Sequence, residues 1–269
     1  MMSGKGWLTK AWLSNVCLTN VWFVRLAALA FAFGLLLLWQ LLSVANIISP
    51  LFFPSPLRTL TALGNQIVDG QLWASLGSTV SRMALGWLVA SIVGIILGAL
   101  ISGSPTARAM LEPTLEFMRP LPASAIIPVA ILAFGLSTTM STAVIAFGSI
   151  WPVLLASIQG FGAVSERLGE VGAALEMNRK DCFFKISLPS ALPDILAGAK
   201  VGLAIALILA VVTEMQASLP GLGQNILMAQ RSFKTPDLYA GILMLALIGF
   251  ITSLALQMLE HRLLKWRVM

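Results

Sequence analysis

Long apolar runs separated by short polar segments dominate the chain. A helix that crosses a bilayer needs about 20 mostly apolar residues. Six segments meet this requirement: residues 26–48, 76–102, 112–135, 138–161, 195–216 and 238–259. The uncharged stretch 120–165 is too long for one span, so we expect a turn at Gly135-Leu136-Ser137 to divide it. The pattern predicts an all-α polytopic bundle of about six transmembrane helices.

Two further segments have one apolar side at helical spacing. In residues 1–25 this side is formed by Trp7, Leu8, Ala11, Trp12 and Val16, which predicts a helix on the inner membrane surface. Residues 56–68 predict an outer surface helix with Ser55 as N-cap and Pro56 at its first position. A cleaved signal peptide is the competing interpretation of the N-terminus. We favour an uncleaved first helix, because 26–48 is long enough to span.

Composition supports a membrane protein. Hydrophobic residues make up 58% and charged residues 10% of the 269 residues, against roughly 45–50% and about 25% in soluble domains. We therefore expect one transmembrane domain, residues 26–269. Cys17 and Cys182 both fall in segments predicted to be cytoplasmic, so we expect free thiols. With His261 as the single histidine, no metal site is expected.

The positive charges orient the bundle. With the N-terminus inside, cytoplasmic segments hold Lys5, Lys10, Arg25, Arg108, Arg167, Arg179, Lys180, Lys185, Arg262, Lys265 and Arg267. The opposite side holds only Arg58, Arg231 and Lys234. Positive residues are enriched in cytoplasmic loops. Both termini are therefore predicted to be cytoplasmic, and the charge placement argues against a nucleic-acid partner.

Small residues recur every four positions in two spans. The second span carries Gly86, Ala90, Gly94, Gly98 and Ser102, and the fifth carries Gly198, Gly202, Ala206 and Ala210. Such ladders allow close approach of helix backbones in lipid. One ladder alone could arise by chance in an Ala/Gly-rich chain. Both together predict a tightly packed core of these two spans.

The longest cytoplasmic segment, residues 165–193, predicts two short amphipathic helices. Ser165 can cap the first, and Leu168, Val171 and Leu175 form its apolar stripe. Asn178 can cap the second, which we expect the Leu-Pro pairs at 188–189 and 192–193 to end. A bare connector needs only a few residues. The pair therefore favours docking onto a partner protein over resting on lipid headgroups.

These residues resemble the permease subunits of bacterial ABC importers, in particular the nitrate, sulfonate and taurine group. That family carries E-A-A, three residues, G, and about a dozen residues later L-P in a cytoplasmic loop. The corresponding residues here are Glu170-Val171-Gly172, Ala173-Ala174-Leu175, Glu176 and Leu188-Pro189. Val171-Gly172 replaces the two alanines, and Glu176 replaces the glycine that normally eases the turn. Asn178 can tolerate the positive φ that such a turn requires.

Other motifs extend the resemblance to roughly residues 26–260. They are Phe53-Pro54-Ser55-Pro56, Arg119-Pro120-Leu121-Pro122, Ile127-Pro128, Phe134-Gly135 and Pro220-Gly221-Leu222-Gly223 after Glu214. The resemblance implies a type I importer fold, a homodimer, two cytoplasmic ATPase subunits that bind ATP and magnesium, and a periplasmic or lipid-anchored solute-binding protein. It also implies a multi-pass protein of the bacterial inner membrane, with Glu170, Leu175, Arg179 and Phe183 near the ATPase. The chain itself has no G-x-x-x-x-G-K-[ST] phosphate cradle.

Ionisable residues within spans are candidate functional groups. Arg119 lies in the third span, which Pro120, Pro122 and Pro128 break. It could attract an anionic solute, snorkel to the headgroups, or pair with Glu112 or Glu116. Arg82 and Glu214 could pair, guard the outer mouth, or snorkel. The tryptophans at 39, 73, 87 and 151 are interpreted as belt or packing residues.

Two other functions compete with an importer permease. An ion-coupled secondary transporter would need coupling-ion sites within its own spans, and apart from Arg119 and the broken third span little suggests them. A membrane-embedded enzyme is disfavoured because the spans contain no His/Asp/Glu cluster and no metal-ligand spacing. Nothing in the sequence selects one solute within the group.

Overall fold

A computed structural model describes residues 21–45, 49 and 51–266, and all regular structure within them is helical. The first half contains α1 (Val21–Val44), α2 (Pro56–Val68), α3 (Gln71–Ser102), α4 (Pro105–Met118), α5 (Ala123–Phe134) and α6 (Thr138–Gly162). The second half contains α7 (Glu166–Ala174), α8 (Arg179–Cys182), a π-helix (Phe183–Ser187), α9 (Leu188–Ala217), α10 (Leu222–Arg231) and α11 (Thr235–Leu263).

Contacts divide the chain into two compact units, residues 1–62 and 63–269, and the boundary falls inside α2. In the first unit the indole N–H of Trp39 donates to the Pro54 carbonyl at 3.1 Å. Ser55 caps α2, because its hydroxyl accepts from the Arg58 N–H at 3.3 Å. The predicted surface helix within residues 1–25 lies outside the described residues, except that 21–25 belong to α1.

The long apolar helices agree with the all-α polytopic prediction. Five are long and apolar enough to cross a membrane: Leu26–Val44, Leu72–Ser102, Thr138–Gly162, Arg179–Ala217 and Thr235–Leu263. The bent pair α4 and α5 gives a sixth if the two helices form one span. The predicted turn at Gly135 is present, with a φ of 68° that glycine adopts readily.

The third span is broken, as its prolines predict. The chain bends by 93° between α4 and α5, within residues 112–135. Of the three prolines expected to break this span, Pro120 and Pro122 lie at the bend, whereas Pro128 lies inside α5. α4 also begins earlier than predicted, where Ser104 caps it by accepting from the Ala107 N–H at 3.2 Å.

The predicted end of the second loop helix is wrong. The Leu-Pro pairs do not end the loop helix: Pro189 lies in the first turn of α9 and Pro193 lies inside it. α8, the π-helix and α9 consequently run on without a break from Arg179 to Ala217.

α6 forms the centre of the second unit and packs along both α3 and α9. A Cβ at Gly94 would lie 3.2 Å from the Val153 side chain, and one at Gly202 would lie 3.0 Å from the Ser149 carbonyl oxygen. Gly86, Gly98 and Gly198 also face residues of α6. The two small-residue ladders therefore face the intervening fourth span more than they face each other.

Candidate functional site

A buried ion pair joins the N-terminal half of α3 to the last turn of α9. The Arg82 guanidinium donates to Glu214 Oε1 at 2.6 Å, and the two side chains are 7% and 0% exposed. Glu214 Oε2 accepts from the Thr79 hydroxyl at 3.1 Å and from the Gly223 N–H at 2.8 Å. Each carboxylate oxygen thus has a donor, which a buried charge requires.

The turn between α9 and α10 encloses this carboxylate. Arg82 also donates to the Pro220 carbonyl, and the Leu222 N–H donates to the Thr79 hydroxyl at 2.9 Å. A Cβ at Gly221 would clash with the carboxylate of Glu214. A Cβ at Gly223 would lie 2.5 Å from the Val211 carbonyl oxygen. The Pro-Gly-Leu-Gly sequence is therefore suited to a turn that wraps closely around a buried charge.

Among the alternatives for Arg82 and Glu214, the structure selects the ion pair, because both side chains are buried. These two residues could be named from the sequence, but Thr79, which receives one hydrogen bond and donates another in the same network, could not. The 10-residue helix α10, which begins at Leu222 of the glycine turn, was not predicted either. The sequence of α10 contains no long apolar run, because the helix buries only part of one of its sides.

The loop of residues 165–193 contains the predicted pair of short helices, joined by a tight turn. The Glu176 N–H donates to the Ala173 carbonyl and the Met177 N–H to the Gly172 carbonyl, both at 3.0 Å. This is the hydrogen-bond pattern of a Schellman motif, whose residue after the C-cap is left-handed and usually glycine. Glu176 occupies that position with a φ of 50°.

The left-handed residue of this turn is therefore Glu176 and not Asn178, although asparagine tolerates that conformation. Asn178 has a φ of −70° and caps α8, as the sequence predicts, accepting from the Asp181 N–H at 2.8 Å. Ser165 stands at the N-cap of α7, but its side chain makes no capping hydrogen bond. Gly172 is buried, and a Cβ there would lie 3.3 Å from Ile186, so α7 folds back onto the segment that follows the turn.

Apolar side chains on this loop are exposed rather than packed. Leu168, Val171, Leu175 and Phe184 are 40%, 49%, 67% and 63% exposed. Phe183, in contrast, is half-buried and stacks on Phe161 of α6 with ring centroids 5.7 Å apart. Among the predicted contact residues, Glu170, Leu175 and Arg179 are exposed, whereas one face of the Phe183 ring packs against Phe161 of the same chain. The remaining named positions lie on the same loop: Ala174 is exposed, and Leu188 and Pro189 are half-buried.

Arg119 lies at the bend between α4 and α5, beside two cavities. One cavity of about 640 Å³ is lined by residues of α3, α4 and α6, and the other, about 510 Å³, by residues of α5, α6 and α9. Pro122 lines the second cavity, and Pro120 is exposed at the bend. Among the described side chains, none forms an ion pair with Arg119. Trp151, interpreted from the sequence as a belt or packing residue, lines both cavities.

Comparison with known proteins places this architecture in a family. Residues 90–265 match the family model described as binding-protein-dependent transport system inner membrane component. The chain is 33% identical to the putative aliphatic sulfonates transport permease protein SsuC of Bacillus subtilis over 86% of this chain and 83% of that protein. It is 32% identical to the taurine transport system permease protein TauC of Escherichia coli over 86% of both chains.

A solved structure shares the fold. An inward-facing form of the MetNI methionine ABC transporter aligns with a TM-score of 0.63 at 14% identity, covering 72% of this chain and 96% of the other. At this identity the likeness concerns the fold alone. It agrees with the type I importer architecture expected from the sequence motifs.

Proposed function

Because the chain belongs to the family of binding-protein-dependent transport system inner membrane components, we propose that it is the permease subunit of an ATP-driven importer for a small anionic solute. The relatives named for sulfonate and taurine transport support an anion of that type. The observation that carries the proposal is the cytoplasmic loop. It presents exposed apolar side chains on a pair of short helices, as a docking surface does.

In the proposed assembly two copies of the chain pair in the bilayer. Two cytoplasmic ATPase subunits bind ATP and magnesium, and a periplasmic or lipid-anchored binding protein delivers the solute. The assembly belongs in the bacterial inner membrane with both termini cytoplasmic, as the charge asymmetry favours. The exposed stripe of Leu168, Val171 and Leu175, with Phe184 beyond the turn, would bury its apolar surface in a groove of the ATPase. Glu170 and Arg179 would supply polar contacts at its rim.

The helix continuity from Arg179 to Ala217 suggests how movement is transmitted. A displacement of the loop by the ATPase acts directly on α9, because no flexible connector separates them. The far end of α9 is tied to α3 through Arg82 and Glu214, so α9 and α3 move together. Closely packed helices transmit such displacements as rigid bodies. Alternating access would follow from rocking this group against its counterpart in the second copy.

Loop variants test the docking proposal. Leu175→Asp places a charge in the proposed interface, and Glu170→Arg reverses one at its rim. Both should reduce co-purification of the ATPase about tenfold or more and uncouple ATP hydrolysis from solute uptake. Ala173→Asp is the matched control, because Ala173 is exposed on α7 outside the apolar stripe. Membrane insertion should be unchanged in all three variants.

The reconstituted transporter separates an importer from an ion-coupled carrier. In proteoliposomes we expect uptake only when the ATPase, the binding protein and ATP are all present. Uptake by the purified chain alone, driven by an ion gradient, would overturn the proposed function. If Leu175→Asp and Ala173→Asp bind the ATPase equally well, the loop is not part of the proposed interface.

A further inference from the structure

The two cavities beside Arg119, together called the groove here, lie along one side of α6 and have three lining residues in common. Along α6 and its C-cap residue, the lining recurs at three- and four-residue spacing, from Gly148 through Trp151, Leu155 and Gln159 to Ala163. At about 1.5 Å per residue this stretch is roughly 22 Å long. Arg119, Trp151 and Leu155 line both cavities and therefore mark their junction. The combined groove is large enough for a small solute, since ligand pockets occupy about 300–1,000 Å³.

The two sides of the junction differ in chemistry. The larger cavity is lined by the charged and polar side chains of Arg108, Glu116, Arg119 and Gln159, together with apolar neighbours. The other cavity has an apolar wall that includes Leu121, Ile205, Ile208 and Val212. Arg119 is the cation that both share. A solute at the junction would meet a positive group at one end and hydrocarbon at the other.

Trp151 adds a second donor at the same place. Its indole N–H is shielded from solvent and has no acceptor among the described residues. A buried donor without an acceptor costs about 1–3 kcal/mol, so such groups call for an explanation. Phe147 holds the ring edge-to-face at a centroid distance of 5.7 Å. An oxyanion at the junction would supply the missing acceptor after a small movement of the ring.

We infer that this junction is a specificity-determining site within the permease, which binds an anion carrying a short apolar body. Arg119 and the Trp151 N–H bind the charged head, and the wall formed by Ile205, Ile208 and Val212 contacts the hydrocarbon. Glu116, the carboxylate in the polar cavity, repels a second negative charge and so favours monoanions. The inference rests on the proposed function for its biological meaning, but the site can be measured without transport.

Direct binding to the purified full-length chain in neutral detergent tests the site. The probes are hexanesulfonate, ethanesulfonate and nitrate, followed by isothermal titration and by tryptophan fluorescence. We expect hexanesulfonate to bind more tightly than ethanesulfonate, and nitrate to bind most weakly. Arg119→Gln should weaken hexanesulfonate binding about tenfold, the usual scale for loss of a charge-assisted bond. Arg119→Lys should restore much of it, and Trp151→Phe should lower it severalfold.

The apolar wall has its own variant and control. Ile208 is 61% exposed, so Ile208→Ser changes the cavity without disturbing the packed core. It should reduce the preference for hexanesulfonate over ethanesulfonate about threefold or more, since each buried methylene contributes to affinity. Val201 lies on the same helix, is 55% exposed and lines neither cavity. Val201→Ser should leave the preference unchanged.

The outcomes separate this inference from the proposed function. Equal binding of the three probes, or binding indifferent to Arg119→Gln, overturns the site even if ATP-dependent uptake is intact. Hexanesulfonate binding that is abolished by an added anionic phospholipid, with the lipid retained by the chain, would assign the groove to lipid and also overturn the site. ATP-independent uptake would overturn the proposed function while leaving a measured anion site in place.

Discussion

The buried pair of Arg82 and Glu214 gives the sharpest energetic prediction. Glu214→Gln keeps the side-chain volume but removes the negative charge, leaving a guanidinium that is 7% exposed without a counter-ion. Breaking a buried ion pair from one side costs about 3–5 kcal/mol. We expect about 3 kcal/mol here, because the Pro220 carbonyl and the amide oxygen of the new glutamine still accept from Arg82.

The double variant distinguishes an unpaired charge from a general packing defect. Arg82→Met alone leaves the Glu214 carboxylate, which is 0% exposed, with only its Thr79 and Gly223 donors. Combining Arg82→Met with Glu214→Gln removes both charges and keeps an acceptor for those donors. Replacing both members of a buried pair is often nearly neutral. The double variant should therefore recover at least half of the stability that each single variant loses.

Unfolding of the purified protein by SDS in mixed micelles measures these differences. The surface pair between Lys185 and Asp181 provides the control, since its side chains are 67% and 41% exposed at a separation of 3.0 Å. Asp181→Asn should change the unfolding free energy by less than about 0.5 kcal/mol. If the double variant instead loses the sum of the two single losses, the charges do not act as a pair and the reasoning is refuted.

Two further variants test the local geometry. Gly198→Ala should destabilise the bundle by about 1–3 kcal/mol, because its Cβ would lie 2.6 Å from the Pro152 carbonyl oxygen. Gly77→Ala is the control and should not destabilise it, because a Cβ at Gly77 would have no neighbour within 4 Å. Equal losses of unfolding free energy in SDS would contradict the packing argument. Glu176→Gly should stabilise the loop turn by up to about 1 kcal/mol, because it relieves a left-handed backbone at φ 50°. Slower amide hydrogen exchange at Met177 checks this, and an equal gain from Glu176→Ala would show that the side chain, not the backbone, was responsible.

The sequence by itself determined the class of fold and most of its helices. Apolar runs long enough to cross a bilayer leave a chain few alternatives to helices, because backbone groups in lipid must bond within their own segment. The bounds of α2, at Pro56–Val68, followed from a local cap and a local proline. The loop helices likewise followed from short-range spacing and the Asn178 cap. These features depend on residues within a few positions of each other.

The tertiary structure decided the features that depend on distant residues. Arg82 and Glu214 are separated by 132 positions, and only the packing of α3 against α9 brings them within 2.6 Å. The two ladders identified the helices that carry a face of small residues, but only the structure showed that both of these faces pack against α6. Pro128 lies inside a helix while Pro120 and Pro122 lie at a bend, although each proline lacks the same N–H. The surrounding contacts decide which of them the chain bends around.

The same division holds for the candidate site. Arg119 could be named from the sequence, because a charge in an apolar run is unusual whatever surrounds it. Trp151 could not be named in this way, because tryptophan is common in membrane spans. Only its place beside the cavities and its N–H, which has no acceptor among the described residues, distinguish it. Glu176 was noticed as a departure from a motif, but only the backbone showed that glutamate itself adopts the left-handed turn. Short stretches of the sequence determine caps, turns and helices. Which side chains are buried, and which residues they contact, is decided only when helices distant in the sequence pack together.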